Sequence, residues 1–241
     1  MGGAVSDKKN DAHLSDAEAN VAWMKQVYET EEYWEDIKFG YRWSKEAPVK
    51  DYRQSGTLVE QLLLPFIPRK LNEALEIGPG GGRWTVELLR IAGRLHLVDV
   101  SEAALRVCQQ RFRYYDNISY HPTQGSNLDF IAPGSLDLIF SWGALVHVQR
   151  EHIRNYIRQF RDLLKPNGVA FIQHPAQGLN VDLARTDFRP ADMVEIAAEC
   201  GLDIRAQIMT SQQFHPDYHD GRRQVYLDCI SVLHPAVIQA G

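Results

Sequence analysis

The chain has 241 residues, of which 44% are hydrophobic, and a formal net charge of −5 at pH 7. This length and apolar content suit one large α/β domain with a modest extension. The acidic balance, with an isoelectric point near 6.0, gives no electrostatic reason to expect a nucleic acid as a partner.

The three cysteines are far apart and lack the spacing of metal ligands. They indicate reduced thiols in a cytoplasmic protein. The sequence shows neither a signal-peptide pattern nor 18 uninterrupted apolar residues, so we expect neither secretion nor a membrane-spanning segment.

The N-terminal part of the chain divides into a tail and an aromatic segment. Residues 1–14 are small, polar and charged, which predicts a disordered tail. Residues 15–55 predict a helical cap, and residues 56–241 the main domain. The cap residues expected to face a substrate cleft and exclude water from it are Tyr41, Trp43, Tyr52 and Arg53. Alternatively, the aromatic side chains only pack on the core.

Residues 74–84 predict a strand that runs into a glycine turn and then into a helix over residues 84–92. Glycines at 78, 80 and 82 can adopt backbone angles closed to other residues, and they leave the main chain open to a nucleotide-like ligand. The dinucleotide-binding fingerprint is not met, because Arg83 occupies its last glycine position. A surface turn is the alternative for this stretch.

The next apolar run, residues 95–100, predicts a buried parallel strand that ends near a carboxylate, Asp99. At the end of a second strand, such a carboxylate can accept hydrogen bonds from both hydroxyls of a ribose. Alternatively, Asp99 only precedes Ser101, which is a suitable N-cap for a helix over residues 102–112.

Further strands are predicted at residues 118–121, 136–140, 169–174, 204–210 and 225–232. The clearest helix covers residues 151–164 and is followed by a stop signal at residues 165–168. Alternating strands and helices predict a parallel α/β sheet with helices on both faces.

Three motifs then resemble class I methyltransferases that depend on S-adenosylmethionine (SAM). They are Glu76-x-Gly78-x-Gly80-x-Gly82, the strand 135–142, and the Leu-Leu-Lys-Pro-Asn-Gly-Val stretch at 163–169. The resemblance covers about residues 71–233 and implies a Rossmann-like seven-stranded sheet of order 3-2-1-4-5-7-6, with strand 7 antiparallel. It also implies SAM as the cofactor.

The resemblance and the predicted strand ends together give a set of cofactor-binding residues. The loop at 125–128 lies where the family reads the adenine, but the usual aspartate is absent, so Ser126 or Asn127 would have to do so. The full set is Glu76, Gly78, Pro79, Gly80, Gly82, Asp99, Val100, Ser126, Asn127, Leu128, Ser141 and Trp142.

Two histidines are candidate catalytic bases, because an imidazole titrates near neutral pH. His147 matches the second position of a His-His pair that is common after strand four of the family, and His174 ends strand five. Either could instead be a structural histidine. Arg185 is a candidate substrate contact, or an ordinary exposed charge. The polar segment 215–220 could ligate a divalent cation, but a solvated loop is the preferred interpretation and no metal is predicted.

The sequence therefore predicts in-line methyl transfer onto an oxygen or nitrogen of a small metabolite, with a hydroxylated natural product or sugar as the first choice. Strand four lacks the Asn/Asp-Pro-Pro-Tyr signature, which disfavours nucleobase and glutamine acceptors. We expect a small-molecule partner and no nucleic acid or membrane, and a homodimer is left open. The alternatives are a protein or RNA methyltransferase and a non-catalytic SAM-binding protein.

Overall fold

Seven strands form a single sheet in the computed structural model, which describes residues 16–31, 56, 58–177, 185–213 and 225–236. The strands are Leu71–Ile77 (β1), Ala92–Asp99 (β2), Ile118–Pro122 (β3), Leu136–Ser141 (β4), Leu164–Pro175 (β5), Leu202–Gln213 (β6) and Val225–Pro235 (β7). Their order is β3-β2-β1-β4-β5-β7-β6, and β7 is antiparallel to both of its neighbours. The predicted fold class is confirmed.

Helices connect these strands. They are Asp16–Tyr28 (α1), Thr85–Leu88 (α2), Glu102–Arg111 (α3), Arg150–Leu163 (α4) and Pro190–Glu199 (α5), with a π-helical turn at Val59–Leu63 and a 3-10 turn at Leu145–His147. The hydroxyl of Ser101 accepts a hydrogen bond from the Ala104 amide at 3.1 Å, which confirms the predicted N-cap of α3.

The helix predicted at residues 84–92 is much shorter in the structure. The amide of Leu71 donates to the carbonyl of Ile91 at 2.8 Å, and Leu71 then pairs with Ala92 in the sheet. Because β1 captures the chain at this point, β2 begins where the propensity pattern still favoured a helix.

The stop signal at residues 165–168 ends α4 as predicted, but it does not form a free turn. The pairing of β4 with β5 passes from Leu136–Leu164 directly to Leu138–Val169, so residues 165–168 form an irregularity within β5. Gly168 is required here, since a Cβ at this position would lie 2.8 Å from the carbonyl oxygen of Leu136.

Each face of the sheet carries its own apolar core, because successive strand residues point to opposite faces. One core contains Leu75 and Ile139 with the apolar faces of α1, α4 and α5. The other contains Ala74 and Phe140 with α2, α3 and the π-helical turn. This arrangement leaves the carboxyl ends of the parallel strands as the place for a ligand.

Several sequence expectations concern residues outside the described ranges, including the tail 1–14, most of the cap and the segment 215–220. Among the residues that are described, no cluster of three or more His, Cys, Asp or Glu side chains could hold a metal ion. None of the helices in those same ranges is both long and apolar enough to cross a membrane. All three cysteines are free thiols. The boundaries of the tail, the cap and the main domain stay a prediction.

Candidate active site

The glycine turn after β1 is shaped by its neighbours in the protein. Gly78, Gly80 and Gly82 have φ angles of 72°, 53° and 82°. A Cβ on Gly78 would lie 2.2 Å from the Cβ of Ala144, and a Cβ on Gly82 would lie 2.5 Å from the ring of Phe112. Close packing therefore requires glycine at both positions, a reason that the sequence interpretation, based on ligand approach, did not include.

Side chains of α3 fix the carbonyl groups of this turn. The Cys108 thiol donates to the oxygen of Gly80 at 3.1 Å, and the Arg111 guanidinium donates to the oxygen of Gly81 at 2.6 Å. Pro79 is buried within the turn. The amide of Gly78 donates to the oxygen of Val98 at 2.8 Å, that of Gly82 donates to the oxygen of Pro79 at 2.9 Å, and that of Gly80 faces Asp99 at 3.5 Å, so the weakly held Gly80 amide is the one among these three that a ligand could take over.

Glu76 lies beneath the turn and is 1% exposed. It accepts a hydrogen bond of 2.6 Å from the Thr85 hydroxyl. Burial raises the pKa of this carboxyl to about 8, although the Thr85 bond opposes the shift. We therefore expect Glu76 to be largely protonated at neutral pH in the ligand-free protein.

This protonation predicts that the ligand-free protein loses stability as pH rises. The folded state binds a proton on Glu76 up to about pH 8, whereas an unshifted glutamate loses it near 4.5. The stability that the proton provides is complete below about pH 4.5 and is lost between there and about pH 8, up to about 5 kcal/mol. Glu76→Gln should flatten this part of the profile of unfolding free energy against pH. An unchanged slope in the variant would contradict the assignment.

Asp99 ends β2 and faces the same turn. One carboxylate oxygen accepts from the Ser101 amide at 2.9 Å, and the other lies 3.5 Å from the amide of Gly80. Asp99 thus lies at the start of α3 and beside the glycine turn at once, so the two interpretations of the sequence are compatible. Burial raises its pKa to about 6, against the opposing effect of these amides. Val100, which follows, is half-buried against the core.

The loop after β3 is held by polar residues of α4. Tyr156 donates its hydroxyl to the oxygen of Gly125 at 2.7 Å. Gln159 donates to the oxygen of Ser126 at 2.6 Å and accepts from the amide of Leu128 at 2.8 Å. The sequence interpretation used only the apolar face of α4 and missed both side chains. The signal for them was present in the sequence, because residues 152, 156 and 159 are spaced so that they share one face of a helix.

An open pocket of about 410 Å³ lies beside this loop. Ser126, Asn127, Phe130, His152 and Asn155 are among the residues that line it. The Ser126 hydroxyl is 3.3 Å from Nδ1 of His152, and the Asn127 side-chain oxygen accepts from the Asp129 amide at 2.9 Å. The amide of Leu128 is already bonded to Gln159, so Ser126 and the Asn127 NH₂ group are the polar groups of the predicted set best placed toward this pocket.

The loop after β4 borders the glycine turn on its other side. Ser141 is fully buried and donates its hydroxyl to the oxygen of Ile77 at 3.0 Å. The half-buried Trp142 packs against Trp84, with ring centroids 4.7 Å apart. His147 ends the 3-10 turn of this loop, and its amide donates to the oxygen of Ala144 at 3.0 Å.

Helix α1 lies along this edge of the sheet and contacts both sides of the site. Asn20 donates to the oxygen of His147 at 3.1 Å, and the Tyr28 ring is 6.0 Å from the His147 ring. The backbone carbonyl oxygen of Tyr28 accepts a hydrogen bond from the Ser101 hydroxyl at 2.6 Å. Lys25 donates to the side-chain oxygen of Gln124, which lines the pocket, at 2.7 Å. Burial, followed by the charge of Asp99, raises the pKa of Tyr28 to about 12, so its phenol stays protonated.

His174 and Arg185 have protein partners in the interior. His174 is fully buried, with Nδ1 2.8 Å from the oxygen of Pro175 and Nε2 2.8 Å from the Ser231 hydroxyl. Since a carbonyl only accepts, Nδ1 carries the proton and Nε2 accepts from Ser231. Burial lowers the pKa of His174 to about 4. Arg185 is 6% exposed and forms an ion pair with Asp228.

These environments favour a structural role for His174 and exclude an ordinary exposed charge for Arg185. The structure brings His147, Asp99 and the glycine turn together at one edge of the sheet. The predicted substrate contacts Tyr41, Trp43, Tyr52 and Arg53 lie outside the described residues.

Comparison with known proteins gives the same family as the motifs. Residues 74–168 match the family model of a methyltransferase domain. This match confirms the resemblance to class I SAM-dependent methyltransferases and, with it, SAM as the cofactor.

The curated relatives are plant enzymes named for a nitrogen acceptor. Phosphoethanolamine N-methyltransferase 3 of Arabidopsis thaliana is 27% identical over 145 residues, which are 58% of this chain and 29% of that enzyme. Phosphoethanolamine N-methyltransferase 1 of Zea mays is 31% identical over 112 residues, 46% of this chain and 22% of that enzyme. The chain thus spans less than a third of the length of these relatives.

Solved structures match over more of the chain. The N-methyltransferase NodS of Bradyrhizobium japonicum, in complex with S-adenosylhomocysteine (SAH), aligns with a TM-score of 0.63 at 18% identity, covering 86% of this chain and 98% of NodS. A SAM-dependent methyltransferase of Methanosarcina mazei aligns with a TM-score of 0.58 at 14% identity, covering 74% of this chain and 98% of that protein. At these identities the likeness establishes the fold.

Proposed function

We propose that this chain, whose residues 74–168 match a methyltransferase domain, transfers the methyl group of SAM to a nucleophilic atom of a small acceptor. The observation that carries the proposal is the contact between Asp99 and the glycine turn. A half-buried carboxylate at the end of β2 lies 3.5 Å from the Gly80 amide, so a group suited to a ribose and a group suited to a carboxylate lie side by side.

The residues present fit SAM along the whole edge of the sheet. Asp99 would hold the ribose, the glycine turn would hold the methionine part, and the pocket beside Ser126 and Asn127 would hold the adenine. A pocket of about 410 Å³ falls within the range of small-ligand sites. When bound, SAM supplies a methyl group that its sulfonium already activates, so the protein has to orient the acceptor and accept a proton.

His147 is the residue that we assign to proton transfer. It lies on the loop that contacts Gly78, whereas both ring nitrogens of His174 are occupied by buried partners. Tyr28, whose ring centroid lies 6.0 Å from that of His147, stays protonated at neutral pH. Helix α1 covers this side of the site and would exclude water from the reacting groups.

A nitrogen acceptor has better support than the oxygen acceptor first expected. Both curated relatives and the solved structure from Bradyrhizobium are named N-methyltransferases. We therefore place a primary amine of a small metabolite first and a hydroxyl second, and an amine also gives His147 a proton to accept. Sugars and hydroxylated natural products stay a prediction, as do the absence of a nucleic-acid partner and a homodimer.

A mass-spectrometric assay tests this proposal. The protein is incubated with SAM and either phosphoethanolamine or a panel of small amines and hydroxylated metabolites, and SAH and products 14 Da heavier are measured. We expect SAH to accumulate in equal amount to a methylated acceptor. Binding of SAM with no SAH formed from any small acceptor, protein or RNA would instead indicate a non-catalytic SAM-binding protein.

The pH dependence of SAM affinity tests the role of Asp99. Only the ionised carboxylate accepts hydrogen bonds from both ribose hydroxyls, and its pKa is raised to about 6. Affinity should therefore be full above about pH 7 and fall about 10-fold by pH 5. Asp99→Asn should bind SAM weakly at every pH. The ratio of its SAM dissociation constant to that of the native protein should therefore shrink as pH falls. A ratio that does not depend on pH would contradict the ribose assignment.

A further inference from the structure

A chain of hydrogen bonds joins the loop after β4, through Gln173 on β5, to Asp228 on the neighbouring strand β7. The amide of Gly143 donates to Oε1 of Gln173 at 2.7 Å, and Nε2 of Gln173 donates to Oδ2 of Asp228 at 3.1 Å. The other oxygen of Asp228 accepts from Arg185. Gln173 and Asp228 are both 0% exposed, so the bond between them is shielded from water, whereas Gly143 itself lies at the surface.

Asp228 determines which way the Gln173 amide points. A carboxylate only accepts hydrogen bonds, so the NH₂ group of Gln173 must face Asp228 and its carbonyl must face Gly143. The ion pair with Arg185 holds Asp228 in place and opposes the rise in its pKa that burial causes, which favours the ionised carboxylate. The carbonyl of Gln173 that accepts from the Gly143 amide is therefore oriented by two other side chains. These are Asp228 on β7 and Arg185 on the segment after β5.

The loop that Gln173 holds contacts the site in two ways. Gly143 has a φ of 73°, a left-handed conformation that a hydrogen bond on its amide helps to fix. The next residue, Ala144, fills the space that a Cβ on Gly78 would need, and its carbonyl accepts from the amide of His147. A shift of this loop would move the wall of the glycine turn and the backbone of His147 together.

We propose that Gln173 is a positioning residue, which acts through the Gly143 amide to hold the loop 143–147 against the glycine turn. The consequence for SAM binding rests on the function proposed above. The effect on the loop does not, because it follows from contacts within the protein. Gln173 itself touches neither the turn nor His147 through any described hydrogen bond.

The test compares Gln173→Met with Gln207→Met, which removes an exposed glutamine away from the loop. Gln207 lies on β6 and donates to the Pro190 oxygen at 3.0 Å and to the Ser231 hydroxyl at 3.2 Å, away from the loop. Both variants lose a glutamine that links neighbouring segments of the chain. Only Gln173→Met should increase amide hydrogen exchange in the peptide spanning residues 142–147, by about 10-fold, and weaken SAH binding by calorimetry about 10-fold.

A second variant, Gln173→Glu, guards against a general loss of stability. Its protonated carboxyl can donate to Asp228 and accept from Gly143, as the amide does, whereas its ionised form is repelled by Asp228. The ratio of its SAH dissociation constant to that of the native protein should therefore approach one near pH 5 and rise above pH 7. If Gln173 only stabilised the fold, the loss of SAH affinity in Gln173→Glu would be the same near pH 5 and above pH 7.

The outcomes separate this inference from the proposed function. If the native protein binds neither SAM nor SAH, the proposed function fails, and the exchange experiment alone decides the role of Gln173. If the native protein binds SAH and Gln173→Met matches Gln207→Met in both exchange and affinity, the positioning role is wrong and the proposed function stands. Faster exchange with weaker binding in Gln173→Met alone supports the proposal.

Discussion

Replacing Gly78 by alanine is expected to weaken SAM binding about 100-fold or more. The new Cβ would lie 2.2 Å from that of Ala144, and the residue would keep a φ of 72°, which L side chains rarely adopt. Overpacking and backbone strain each cost about 1–3 kcal/mol. Relief requires the glycine turn or the loop after β4 to move, and both border the proposed methionine site.

Gly134→Ala is the matched control for this substitution. Gly134 has a φ of 64°, but a Cβ there has nothing within 4 Å, and the residue lies away from the site, where its amide donates to the Asp162 oxygen. We expect it to lower the free energy of unfolding by about 1 kcal/mol and to leave SAM affinity unchanged. Calorimetric titrations of both variants make the comparison. Equal affinity in the two would mean that the turn does not hold the cofactor.

Replacing His147 by asparagine is expected to lower kcat about 100-fold or more, with little change in the KM for SAM. The proton of the acceptor would then lack its base, and general acid–base catalysis by one side chain contributes about 10²–10⁴-fold. The bond from Asn20 goes to the backbone oxygen of His147, so the loop should keep its place. The loss should be largest below the pKa of the acceptor, where a proton has to be removed.

His234→Asn serves as the control, because this half-buried histidine lies on β7 near the last described residues. Its kcat should equal that of the native protein. The assay measures SAH formed with the acceptor found by mass spectrometry, over a range of pH. Native turnover in His147→Asn would assign the proton transfer to another group, or show that the acceptor reacts without a base.

The sequence allowed the strands and the place of Asp99 at the end of β2 to be predicted because both depend on local pattern. Short apolar runs marked each strand, and Asp99 stands at a fixed distance from the glycine turn. Ser101 was predicted as an N-cap on chemistry that involves only the next few residues, and its bond to Ala104 confirms it.

Features that depend on contacts between distant residues could not be predicted in this way. Gly78 is required by Ala144, 66 positions later, and Gln173 is oriented by Asp228, 55 positions later. The helix predicted at residues 84–92 was too long because pairing of Leu71 with Ala92 overrides local propensity. His174 was identified as a candidate from its place at a strand end, but only the fold shows that Ser231 and Pro175 occupy its ring.

The edge of the sheet formed by the glycine turn, Asp99 and the loop after β3 is the proposed binding site for SAM. Isothermal titration of the protein with SAM and with SAH tests it most directly. We predict saturable binding of both with one site per chain, and a sharp loss of affinity in Asp99→Ala without loss of the folded state. If the folded native protein bound neither compound, this edge of the sheet would not be a SAM site.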